Sequence, residues 1–250
     1  MEYVFDGLKI NYTVNFNDKK DNAVLFLHGW GGSTASFFGV EKYLLEQNYS
    51  TINLDFLGFG QSDEPRENYS LDNYVLLVKN LLKKLKITKV CIVAHSFGGR
   101  VAIKLAAETN YVAKLVLVDS AGIKPRFNIK TFAKIKTYKL LKFLKSKKLI
   151  KTNLEKFGSG DYLKLSSSMK KVFVRIVNED LTRYLSKIKC PTLLVWGKND
   201  KDTPLYMAKK MKKHIKDSGL VVFKNSGHFS YIENYNDFLL VINSFLSKIL

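Results

Sequence analysis

The stretch KVCIVAHSFGGRVAIKLAAET (89–109) limits the fold more than any other part of the chain. An apolar run ends at Ser96, and a helical pattern begins one residue later, opened by small residues. The next apolar run, VAKLVLVDS (112–120), follows that helix directly. A strand, a helix and a second strand in such close succession make a βαβ unit, whose strands are parallel.

The same alternation runs through most of the chain. NAVLFLHG (22–29), STINLDF (50–56), CPTLLVWG (190–197) and GLVVFKNSG (219–227) read as strands. STASFFGVEKYLLEQN (33–48), SLDNYVLLVKNLLKKLKI (70–87), PLYMAKKMKKHIKD (204–217) and NDFLLVINSFLSKI (236–249) have helical spacing, with Ser33 and Ser70 placed as N-caps. Strands this continuously apolar belong in a sheet covered on both faces. The opening MEYVFDGLKINYTVNF alternates around Asp-Gly and reads as a hairpin, not as a secretion signal. The expected fold is therefore α/β, a mostly parallel, doubly wound sheet formed by 1–122 and 190–250. Residues 123–189 contain helical stretches and no clear strand, so they read as a helical insertion after the strand ending near Val118.

Composition excludes several classes. No run of 18 uncharged apolar residues is present, so no membrane-spanning helix is expected. The two cysteines, Cys91 and Cys190, lie in apolar runs without a CxxC, which suits a reducing, cytoplasmic setting. No His and Cys spacing suggests a metal, and no cofactor is expected. The formal net charge is +19, yet only five of the 41 basic residues are Arg and no nucleic-acid motif occurs, so nucleic acid is not an expected partner. The charge is uneven. Residues 123–189 hold 19 Lys and Arg against four Asp and Glu. Lysine-rich composition explains the total, but its location points to an anionic partner: an acidic substrate, or the head groups of an anionic membrane.

Ser96 has two readings, a helix cap or a nucleophile. A nucleophile on a sharp strand-to-helix turn needs small residues two before and two after it, here Ala94 and Gly98. It also needs a base. Of the four histidines, His214 lies in a lysine-rich helix, His95 is adjacent to Ser96, and His28 borders a Gly-rich turn. His228, in a loop between a strand and the last helix, remains as the candidate base. The base needs a carboxylate. Asp200 in VWGKNDKDTP is the first candidate, Asp202 the second, and Asp119 at the end of LVLVDS the third. Backbone donors for a developing oxyanion are available at Phe97, where the helix starts, and in HGWGGS (28–33), most simply at Trp30.

Taken together, LHGWGGS, DFLGFGQSD (55–63), AHSFGGR, LLVWGKND and NSGHFSYIE resemble the α/β-hydrolase superfamily over nearly the whole chain. Among its members the chain is similar to cofactor-independent serine hydrolases with a helical cap, such as carboxylesterases and carbon–carbon bond hydrolases. The resemblance implies Ser96 as nucleophile, Asp200 as acid, His228 as base, and the amides of Trp30 and Phe97 as the oxyanion hole. It makes 123–189 the cap over the site, with Phe132, Ile135, Leu141, Leu144, Phe173 and Ile176 lining a pocket or packing the cap. Asp55 matches a loop-shaping position. Ala94 replaces the usual glycine. The implied substrate is a small acyl compound, anionic or lipid-like given the charge. A thioesterase, lactonase or peptidase would share the triad, and a ligand-sensing protein could keep the scaffold.

Overall fold

A computed structural model describes residues 1–17, 23–125, 136–138, 141 and 165–247. β1 (Glu2–Phe5) and β2 (Leu8–Asn15) form the opening hairpin, and Asp6 (φ 51°) with Gly7 (φ 76°) supplies the two left-handed positions of its turn. The other strands are β3 (Ala23–Leu27), β4 (Ser50–Leu54), β5 (Val90–His95), β6 (Val112–Val118), β7 (Thr192–Gly197) and β8 (Ser218–Phe223). All eight make one sheet in the order β1-β2-β4-β3-β5-β6-β7-β8. β2 pairs antiparallel with β1 and β4, and every other neighbouring pair is parallel.

Successive side chains of the parallel strands enter two different cores. Leu25, Leu27, Ile92, Ala94, Leu115, Leu117, Leu194 and Trp196 face one, and Val24, Phe26, Val93, Val116, Val118 and Val195 face the other. The first core is covered by α2 (Leu71–Lys84), α3 (Phe97–Glu108) and α6 (Tyr206–His214). The second is covered by α1 (Phe38–Glu46), α7 (Ser230–Glu233) and α8 (Tyr235–Leu246). Apolar residues on both faces explain why the strands lack polar alternation. Ser33 caps the short 3₁₀ turn Thr34–Phe37 ahead of α1, and Ser70 forms a capping box with Asn73 at α2.

From β3 the chain steps outward to β4 and then returns across β3 to β5. That reversal opens a crevice at the carboxyl ends of β3 and β5. Residues just past the ends of β3, β5, β6, β7 and β8 converge on it.

Within 123–189, the structure describes α4 (Ser167–Val177) and α5 (Thr182–Leu185). Met169, Val172 and Ile176 of α4 are buried in the first core. Arg100 of α3 is itself 5% exposed and ties this segment down. Its guanidinium donates to the carbonyls of Ile176 (3.1 Å), Val177 (3.3 Å) and Glu179 (2.8 Å) at the end of α4. Carbonyls at a helix end lack the donors that a further turn would supply, and the helix dipole there favours a cation. Phe132, Ile135 and Leu144 lie outside the described residues. Among the described residues no helix is long and apolar enough to cross a membrane.

Candidate active site

Ser96 joins β5 to α3 with φ 48° and ψ −110°, a backbone conformation that L-residues avoid. The neighbours show why the turn needs small residues. A Cβ on Gly98 would lie 2.1 Å from the Leu27 carbonyl oxygen at the end of β3. One on Gly99 would lie 1.9 Å from Ser120 Oγ. Ala94 fits, fully buried in β5. Backbone bonds from the Ser96 N–H to the Val118 carbonyl and from the Ala121 N–H to the Ser96 carbonyl hold the turn against β6.

The fold brings His228 and Asp200 to this serine from 132 and 104 positions away in sequence. His228 Nε2 lies 2.9 Å from Ser96 Oγ, and its Nδ1 lies 2.9 Å from Asp200 Oδ2. A carboxylate beside Nδ1 fixes the proton there and leaves the Nε2 lone pair for the serine O–H. Asp200 is oriented in turn: its Oδ1 accepts the N–H groups of Asp202 (2.8 Å) and Thr203 (2.9 Å), and Thr203 Oγ1 lies 2.7 Å from Oδ2. Burial opposes charge on His228, but the hydrogen bond to Asp200 and the charges of Asp200, Asp202 and Asp119 outweigh it and hold the imidazole above its ordinary pKa. Burial raises Asp200 too, and the bonds from His228 and Thr203 more than reverse this. The row of hydroxyl, imidazole and carboxylate can take a proton from Ser96 and stabilise the resulting imidazolium.

The rival acids occupy other positions. Asp202 lines the cavity next to His228. Asp119 is wholly buried and bonds to backbone N–H groups of Gly197 and Ser230, not to the imidazole. Asp200, Asp202 and His228 bring ligand-type atoms within 4.8 Å of one another, which their sequence spacing does not suggest. Both oxygens of Asp200 are already engaged by protein donors, a poor basis for a metal site.

His95 and His28 are neutral scaffolding. Burial pushes His95 down to about 3, and its Nε2–H donates to the His228 carbonyl (2.8 Å). Burial pushes His28 down to about 4; its Nδ1–H donates to the Gly29 carbonyl (2.7 Å), while its Nε2 accepts the Phe56 N–H (3.0 Å). The Gly29 carbonyl also accepts the Gly32 N–H (3.0 Å). Held this way, the trans Gly29–Trp30 peptide turns the Trp30 N–H in the opposite direction. Gly29 lies against the elbow, where an added Cβ would be 3.3 Å from Ser96 Cβ. Phe97 is the first residue of α3, so its N–H has no partner inside the helix. Asp55 ties the surrounding loops by accepting the N–H groups of Thr34 and Gln61.

Ser96 and His228 open into a cavity of about 460 Å³ walled by Trp30, Phe97, Ile123, Phe173, Ile176 and Phe229. Phe173, expected from the sequence to line a pocket or pack the cap, meets the Trp30 ring edge-on at 4.8 Å. A larger cavity of about 610 Å³ lies by the starts of β6 and β7, near Lys89, Glu108 and Lys189, and includes neither Ser96 nor His228. The smaller cavity is the chemically equipped one. Sequence reasoning missed Thr203, His95 and Arg100. Each acts through a contact distant in sequence or through a backbone atom, and no motif announces such contacts.

Comparison with known proteins bears on the fold. Residues 22–146 and 127–235 match the family described as the alpha/beta hydrolase fold. An AB hydrolase superfamily protein, YisY of Bacillus subtilis (strain 168), is 30% identical over 236 residues, 84% of this chain and 86% of its own. A 2-hydroxy-6-oxo-6-(2'-aminophenyl)hexa-2,4-dienoic acid hydrolase of Metapseudomonas resinovorans is 26% identical over 262 residues, 92% and 85% of the two chains. The solved esterase of Exiguobacterium antarcticum superposes with a TM-score of 0.77 at 26% identity, covering 97% of each chain.

Proposed function

Because the chain belongs to the α/β-hydrolase family, we propose that it is a serine hydrolase that cleaves a carboxylic ester or related acyl bond. The observation that carries this reading is the continuous hydrogen-bonded row from Ser96 Oγ through His228 to Asp200, opening into an apolar cavity. His228 takes the Ser96 proton as the oxygen attacks the carbonyl carbon. The amides of Phe97 and Trp30 receive the oxyanion. His228 then gives its proton to the leaving group, and water, activated by the same imidazole, releases the acid from Ser96. Residues 123–189 act as the cap, with Phe173 and Ile176 of α4 forming part of the wall above the nucleophile. The cavity suits an acyl group of modest size with apolar or aromatic character.

A second reading, hydrolysis of a carbon–carbon bond beside a ketone, is favoured by the likeness to the dienoic acid hydrolase. A panel of p-nitrophenyl esters of rising acyl length, run beside a vinylogous diketone, separates the two. Turnover of short esters that disappears in Ser96→Ala is the expected result. Activity on the diketone alone would favour the second reading, and unchanged ester turnover in Ser96→Ala would overturn both.

A further inference from the structure

The five strand ends around the crevice carry two non-glycine residues with left-handed backbone: Ser96 (φ 48°) after β5 and Asp119 (φ 44°) after the adjacent β6. Such strain costs about 1–3 kcal/mol per residue and persists where the surroundings impose it, most often at functional sites. For Ser96 the proposed chemistry supplies a reason. For Asp119 that chemistry supplies none.

The contacts of Asp119 supply it. Its side chain is fully buried and no basic side chain bonds to it among the described residues. Oδ1 accepts the Gly197 N–H (2.8 Å), and Oδ2 accepts the Ser230 N–H (3.0 Å). Gly197 ends β7 and opens the loop that carries Asp200; Ser230 follows His228 by two residues. The Asp119 carbonyl also lies 2.9 Å from Thr203 Oγ1, the hydroxyl that contacts Asp200. One residue therefore holds both the acid loop and the base loop. We propose that Asp119 is a positioning residue that clamps the Asp200 loop to the His228 loop; this rests on the hydrolytic reading above.

The charge on the clamp depends on pH, and the carboxyl is ionised only around and above neutrality. Burial pushes the Asp119 carboxyl up to about 7, with the bonds from Ser230 and Gly197 pulling against it. The titratable groups facing it are Asp200 on the β7–α6 loop, and His228 and Tyr231 beyond β8. Its negative charge raises both His228 and Tyr231.

The test is the rate at which a fluorophosphonate probe labels Ser96, followed against pH in the wild type and in Asp119→Asn, with thermal unfolding measured alongside. Asn tolerates a left-handed backbone, so the substitution spares the turn. Its NH₂ group must face one of two N–H donors, which opens one side of the clamp. The expected result is labelling slowed about ten- to a hundredfold. The acid limb should move to lower pH, because a loosened clamp weakens the Asp200–His228 hydrogen bond that holds the imidazole basic. Equal labelling at every pH, or a slowdown matched by lost stability with the limb unmoved, would overturn the clamp. If Asn prevents folding, Asp119→Glu replaces it, keeping the carboxyl but lengthening the arm: slower labelling with the limb moved to lower pH is expected, and an unchanged rate overturns the proposal. A wild type that never labels would instead refute the hydrolytic reading itself.

Discussion

The floor and the wall of the Ser96 cavity are held by different means. The floor consists of strand ends, fixed by the register of β5, β6, β7 and β8 and by backbone contacts closer than any side chain would permit, such as Gly98 against the Leu27 carbonyl. The wall contributed by α4 is held by side-chain contacts, one from α3 and the others from α4 itself. Arg100 grips its C-terminal end. Arg175 donates to the Tyr69 carbonyl (2.8 Å), Ser168 donates to the Pro65 carbonyl (2.9 Å), and Lys171 pairs with Glu67 at the surface. An exposed pair of that last kind contributes little. A floor built this way keeps reacting atoms in place. A wall built this way can change its apolar residues without disturbing the floor. The division predicts that floor substitutions act on kcat and wall substitutions on KM.

The largest effect tests the floor. Ser96→Ala and His228→Ala are expected to lower kcat for a responsive ester roughly 10⁴- to 10⁶-fold, with KM little changed. Asp200→Asn should cost roughly 10³- to 10⁴-fold, through loss of the imidazole tautomer. Asp202→Asn should cost far less, because Asp202 reaches Asp200 only through its backbone N–H. An Asp202 effect as large as that of Asp200 would break the assignment of the acid.

A second prediction concerns the junction of the two regions. Arg100→Gln leaves the carbonyls at the end of α4 without their buried donor, and should cost about 2–4 kcal/mol of stability, read from urea unfolding. KM should rise more than kcat falls. An equal loss in kcat at full stability would place Arg100 with the floor.

The smallest effect lies in the wall. Phe173→Ala removes the ring stacked edge-on against Trp30 and should raise KM for aromatic esters about three- to tenfold, with kcat held within about twofold. A kcat loss comparable with that of Asp200→Asn would erase the distinction.

The same division decides what could be read from the sequence. Floor residues follow local rules. AHSFGG records the small residues that a strained turn needs, HGWGGS a backbone that approaches closely, and a strand before each loop locates Asp200 and His228. Local rules rank Asp200 ahead of Asp202 and Asp119 without excluding them, because all three follow strand ends; the packing of the loops sets Asp200 against the imidazole. The wall follows no local rule. α4 has ordinary helical spacing, and its hold on the core depends on Arg100, 76 residues away from Ile176. Lysines crowded into 123–189 are conspicuous in the sequence, but the contacts described for α4 that involve charged side chains, at Arg100, Lys171 and Arg175, serve packing and surface pairing.

pH dependence sharpens the floor. Asp200 holds His228 above the ordinary histidine value of about 6.5. The base must be neutral to accept the Ser96 proton, so kcat/KM should rise with pH and level off only above that value. Replacing Asp200 with Asn should move the acid limb down while lowering the plateau.

The most direct measurement is intact and peptide mass spectrometry after exposure to a fluorophosphonate probe at neutral pH, on wild type, Ser96→Ala and His228→Ala. Phosphonylation of the wild type at Ser96 alone, none in Ser96→Ala and a labelling rate reduced at least about a thousandfold in His228→Ala is the predicted result. Labelling at another residue, or a His228→Ala variant that labels as fast as wild type, would contradict the account.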